Sequence, residues 1–195
     1  MSLMLLTITP PAEEPITLAE AKVHCHVDGS DEDSLLTGLI VAARELCELR
    51  ARRAFVTQTL ERHLECWPAS TGIYVPKAPL VSVTSVKYID SDSVEQTVSS
   101  SDYIVDIASQ PGRVVLKRNV SWPSAELQVG GAVRVRYVAG YGAASAVPAR
   151  YKQAIRLLVG HWYENREQVA INQGNLKTLP FAVDALLMVD RGSWF

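Results

Sequence analysis

The chain has 195 residues, 48% hydrophobic and 21% charged, with a formal net charge of −2. That length suits one large domain or two small ones, and a composition near the globular average excludes bulk disorder, collagen-like repeats and coiled-coil rods. No apolar run approaches the roughly 20 residues of a membrane helix, and the near-zero charge excludes an indiscriminate nucleic-acid binder, whose domain pI usually exceeds about 9.

Residues 7–15 contain Pro10, Pro11 and Pro15 and read as an extended lead-in. Thr17 followed by Glu20 forms a capping box that opens a short helix reaching about Val27, and Asp28-Gly29 closes it. Ser30, with Asp33 three positions on, starts a second helix whose first turn is acidic. Its apolar residues Leu35, Leu36, Leu39, Ile40, Ala43, Leu46 and Cys47 follow the helical period and read as a core face. From about residue 55, Val, Thr, Ile and Tyr dominate between Gly, Pro, Ser and Asp punctuation, which predicts short antiparallel strands. The expected strands are 56–66, 81–90, 94–98, 102–106, 113–117 and 132–138. In the last, Val133, Val135 and Tyr137 point one way and Arg134 and Arg136 the other. Gly140-Tyr141-Gly142 ends it. Pro148 suits the first turn of a third helix with Tyr151, Ile155, Leu158, Val159, Trp162 and Tyr163 on its apolar face. Residues 167–178 are polar and read as a mobile stretch, and Pro180 opens a last short helix to about Met188. The expected fold is therefore α+β: a small helical bundle from residues 1–54 and 143–195, with an antiparallel β-module inserted at 55–142.

Three cysteines, Cys25, Cys47 and Cys66, with no CxxC spacing, fit neither a disulfide framework nor a zinc knuckle. Together with an N-terminus that lacks a basic signal-peptide start, they point to synthesis in the cytosol. His24 and His26 flank Cys25, but an i, i+2 pair points in different directions on a helix, so a metal site is not expected. The run Asp28 to Asp33 lacks the glycine and glutamate of a calcium loop, having Asp33 and Leu39 at those places. No nucleophile elbow, phosphate loop or dinucleotide fingerprint follows a strand. His63 and His161 have no serine singled out for them by spacing, so neither an enzyme activity nor a cofactor is expected. Tyr137 and the arginines beside it alternate across one strand. They do not make the stacking face that nucleic-acid platforms need.

The net charge hides an uneven distribution: −4 over residues 1–53, −4 over 54–112, +7 over 113–166 and −1 over 167–195. Such blocks are either solvated faces that happen to differ, or surfaces through which copies attract one another or face a polyanion.

Two separated segments resemble one family. Ile16-Thr17-Leu18-Ala19-Glu20-Ala21-Lys22, then His26-Val27-Asp28, then Asp31-Glu32-Asp33 leading into Leu36, Leu39, Ile40, Ala42, Ala43, Arg44 and Glu45 resemble the start of tailed-phage head–tail connector proteins. The run Val133 to Gly142, then Val147-Pro148-Ala149, then His161-Trp162-Tyr163-Glu164-Asn165-Arg166-Glu167 resembles the closing part of the longer members. These carry a β insertion and are often catalogued as possible DNA-packaging proteins. The resemblance implies a structural adaptor in the virion, assembled in a ring of typically twelve copies under the portal protein. Such a ring extends the DNA channel, lets duplex DNA pass without sequence-specific binding, and docks the next tail-completion protein.

A ring needs one patch of each subunit to meet a different patch of its neighbour. The block charges suggest Glu20, Asp31, Glu32 and Asp33 against Arg113, Arg134, Arg136 and Arg150. In related connectors C-terminal segments engage the portal, which makes Arg191, Trp194 and Phe195 the docking candidates here. The rival reading is an accessory packaging factor that contacts DNA or terminase directly.

Overall fold

A computed structural model describes residues 4–165 and 181–188. The chain divides into two units, one of strands (residues 4–12 and 57–141) and one of helices (13–56, 142–165 and 181–188). The fold is α+β.

The strand unit holds a five-stranded antiparallel sheet in the order β1-β2-β8-β4-β5 and a three-stranded one in the order β3-β7-β6. Six of its strands fall where alternation places them: β2 (Gln58–Leu64), β4 (Leu80–Ile89), β5 (Glu95–Thr97), β6 (Tyr103–Asp106), β7 (Arg113–Leu116) and β8 (Val133–Ala139). Two were not expected. β1 (Met4–Thr9) pairs with β2 as an added edge, so the strand ends before the prolines that suggested an unpaired lead-in. β3 (Gly72–Tyr74) is three residues long, too short for alternation to register. Strand β8 lies between β2 and β4, and its residues Val133, Val135, Tyr137 and Ala139 are all buried. They share a core with Leu60, Val86, Ile73, Val114 and Leu116. The Tyr137 hydroxyl donates to the Pro76 carbonyl at 2.7 Å, and Arg62 donates to the Tyr74 carbonyl, so polar groups inside this core are matched.

In the helical unit, α1 (Leu18–Cys25) starts with the expected box. The Glu20 N–H donates to the Thr17 hydroxyl at 3.1 Å and the Thr17 N–H to the Glu20 carboxylate at 2.8 Å. Helix α2 (Asp33–Ala51) begins later than the Ser30 cap predicts. Ser30 instead accepts the Asp33 N–H through its carbonyl at 3.2 Å, forming a turn, and the Asp33 carboxylate pairs with Lys22. Helix α3 (Ala149–Glu164) has Pro148 at its cap, one position before the expected first turn, and buries Tyr151, Ala154, Ile155, Leu158 and Val159. Helix α4 (Phe181–Met188) matches the expected last helix.

The interior of the helical unit contains a charged knot. Glu48 is fully buried and its carboxylate accepts the Phe55 N–H at 2.8 Å, while Arg44, itself buried, lies 3.6 Å from it. Arg44 also donates to Glu14 at 2.8 Å. Phe55 stacks on Tyr151 with ring centroids 4.5 Å apart, so the knot pins the chain leaving α2 against α3. Residues 167–178, expected to be mobile, lie outside the described residues.

Candidate assembly surfaces

Alternation along β2, β8, β4 and β5 sends a set of charged side chains to the outer face of the five-stranded sheet. Glu61 sits opposite Arg136, and His63 opposite Arg134, which in turn faces Lys87. Arg136 donates to Glu61 at 2.8 Å, with His63 Nε2 2.9 Å from the other carboxylate oxygen. Lys87 donates to Glu95 at 2.5 Å and holds its carboxyl below the usual range, while Arg134 approaches Glu95 at 3.7 Å. Three cations are thus held against two carboxylates on one face. The edge of this sheet is formed by β1, where Met4, Leu6 and Ile8 are exposed.

On the three-stranded sheet, Arg113 is paired within its own chain. The Ser109 hydroxyl donates to Asp106 at 2.6 Å, Arg113 donates to the same oxygen at 2.9 Å, and the Ser109 N–H reaches the other oxygen at 3.1 Å. These donors, Ser109 first and Arg113 next, pull the Asp106 carboxyl down to about 2. A carboxyl depressed on folding contributes stability that is present above its unfolded value of about 4 and lost as pH falls through the folded one. The expected result is an Asp106 carboxyl resonance that titrates near pH 2. In Arg113→Ala that midpoint moves up toward about 4, the ordinary value. An unchanged midpoint would mean that the guanidinium does not act on this group.

The acids expected to meet a neighbour are also largely engaged at home. Glu20 accepts from Arg156 at 2.6 Å, and the Thr17 backbone N–H, followed by Arg156, holds its carboxyl below the usual range. Asp33 pairs with Lys22, and the Tyr163 hydroxyl donates to Glu32. Asp31 is exposed at the start of α2. Arg150 lies over the Tyr151 ring, its guanidinium carbon 4.8 Å from the centroid, a contact that leaves its charge intact. Arg191, Trp194 and Phe195 lie outside the described residues.

Helix α2 carries a feature that the sequence reading merged into its core. The buried stripe is Leu36, Ile40, Ala43 and Cys47. A second stripe, Leu35, Leu39, Ala42, Leu46 and Leu49, steps by four, three, four and three residues. At about 100° per residue it falls on nearly the opposite side of the helix. Leu35 is 40% exposed and Leu49 70%, Ala42 is exposed, and Leu39 and Leu46 are half-buried. Leu35, Leu39 and Leu46 are therefore not the core residues that periodicity suggested. The 4-3 spacing was available in the sequence as a signal of a second face; only the position of α1 and α3 decides which stripe is covered.

Histidines expected to be unrelated to metal chemistry are dispersed. His24 packs against Gly160 of α3, where an added Cβ would come within 3.0 Å of its Nε2. His26 caps α1 with φ at 53°. Among the described residues no three His, Cys, Asp or Glu side chains gather where they could hold a metal ion, and no helix is long and apolar enough to cross a membrane.

Comparison with known proteins gives one family and a consistent set of solved structures. A family model described as "Head completion protein" matches residues 14–185. A chain in the structure titled "Virion of native gene transfer agent (GTA) particle" is 25% identical, with a TM-score of 0.78 over 98% of this chain and 97% of that one. A chain from the "Neck of empty GTA particle computed with C6 symmetry" is 26% identical, with a TM-score of 0.76 over 98% and 97%. One from the "Neck of native GTA particle computed with C12 symmetry" is 26% identical, with a TM-score of 0.74 over 100% and 97%. No curated protein matches the chain.

Proposed function

The chain belongs to the head completion protein family, and from that membership we propose that it is a non-enzymatic structural subunit of a phage-like particle, placed at the junction of head and tail. Copies assemble there into a ring, twelve in the complete particle, that extends the DNA channel under the portal protein and docks the next tail component. The observation that carries this reading is the likeness, over nearly the whole chain, to subunits of a particle neck solved with C6 and C12 symmetry. The surface chemistry is compatible with it. The basic residues of the outer sheet face are largely offset by Glu61 and Glu95, which leaves a weak grip on phosphates. A channel that DNA must slide through has no use for a strong one.

The C-terminal residues Arg191, Trp194 and Phe195 are the proposed portal-docking element, an assignment that rests on the sequence resemblance. The test is to mix the full chain with the portal protein encoded beside it and to view the product by negative-stain microscopy and sedimentation. Closed rings seated on the portal are expected. A chain that forms no ring alone or with portal, and instead shifts duplex DNA at low salt, would overturn the adaptor in favour of a packaging factor that contacts DNA directly.

A further inference from the structure

The second stripe of α2 is an apolar face on a helix whose core-facing side is already occupied. A helix apolar on two opposite sides is normally covered on both. Between Leu35 and Leu49 the stripe runs about 21 Å at 1.5 Å per residue, and its 4-3 spacing is that of a helix-packing seam. Its ends differ in charge. Asp28 and Asp31 are exposed before its first turn, and Arg50 lies in its last.

We propose that this face is covered by the outward face of α3 in a second copy of the chain, the two helices running parallel. The charges on α3 are the mirror of those on α2. Arg150 stands at its start and the exposed Glu164 at its end, with the half-buried Leu157 between them on the side turned away from the core. In a parallel contact Asp31 of one copy meets Arg150 of the next, Arg50 meets Glu164, and Leu157 enters the leucine seam. An antiparallel arrangement would set Asp31 against Glu164 and Arg50 against Arg150. The contact joins two different patches, so it propagates from copy to copy and can close into a ring. Of the charged residues that composition alone set aside for neighbour contacts, it uses Asp31 and Arg150. This inference rests on the ring reading above and names the surface through which the ring forms.

The test uses the full chain under conditions in which the wild type forms rings. Leu35→Asn with Leu49→Asn changes only exposed positions of α2 and should leave the circular-dichroism spectrum and melting temperature unchanged. The concentration for half-assembly should rise at least about tenfold, the scale set by losing two leucines from a buried contact. Asp31→Lys should weaken assembly at low salt, and adding Arg150→Glu should restore it, because the pair is then reversed. Rings that assemble equally well in the leucine double variant would overturn this inference and leave the ring reading intact. A leucine variant that rings normally alone but no longer binds portal would also overturn it, since portal would then cover the face. A wild type that never rings removes the ring reading itself and the second copy with it.

Discussion

Glu48→Ala is expected to destabilise the helical unit by about 3–5 kcal/mol, the range for removing one member of a buried ion pair. At a few degrees per kcal/mol for a chain of this size, that is a fall in melting temperature of roughly 6–20 °C. The cost has two parts. The buried Arg44 keeps Glu14 but loses the carboxylate 3.6 Å away, and the Phe55 N–H loses an acceptor at 2.8 Å. Glu48→Gln retains an acceptor for Phe55 and removes only the charge, so it should fall between wild type and alanine. The measurement is thermal or urea unfolding of the three proteins. A loss below about 1 kcal/mol for alanine would show that water replaces the carboxylate without penalty.

In the strand unit the largest effect is expected at Tyr137, which is fully buried at the centre of the five-stranded sheet. Tyr137→Ala should cost about 3–5 kcal/mol, the range for deleting a buried aromatic ring. Tyr137→Phe keeps the ring and leaves the Pro76 carbonyl without its 2.7 Å donor, for about 1–3 kcal/mol. Burial beside the Arg62 guanidinium pushes the phenol well above its ordinary range, so the hydroxyl remains a donor across all pH values at which the protein folds. The two variants, unfolded in urea, separate packing from hydrogen bonding. A phenylalanine variant as stable as wild type would mean that the carbonyl finds another partner.

These two residues illustrate how differently the two kinds of core residue are encoded. Tyr137 is legible at once: Val133, Arg134, Val135, Arg136 and Tyr137 alternate, and the structure buries every second one. Glu48 is not legible. A lone glutamate on a helix reads as solvent-facing, and it is buried here only because residues 53–55 fold back over the end of α2 and bring a backbone donor to it. The same limit applies to the proposed assembly surface. The acids and arginines of the charge blocks stand far apart in sequence, and composition shows that they can attract without showing which do. Folding sets Arg136 on Glu61, Arg113 on Asp106 and Arg156 on Glu20, all within one chain. What it leaves for a neighbour is a smaller set than the block charges suggested.

Local periodicity and capping, which depend on residues within a few positions of one another, determined from sequence alone the α+β class, three of the four helices to within a residue or two, and six strands. The tertiary structure alone decided which of two apolar stripes on α2 is core, that residues 4–9 add an edge strand, and where each charge finds its partner. These depend on contacts between residues distant in sequence, and spacing along the chain carries no record of them. The net charge of −2 is the plainest case: the sequence sets its value, but only the folded chain distributes it between pairs closed within one subunit and charges left exposed on its surface.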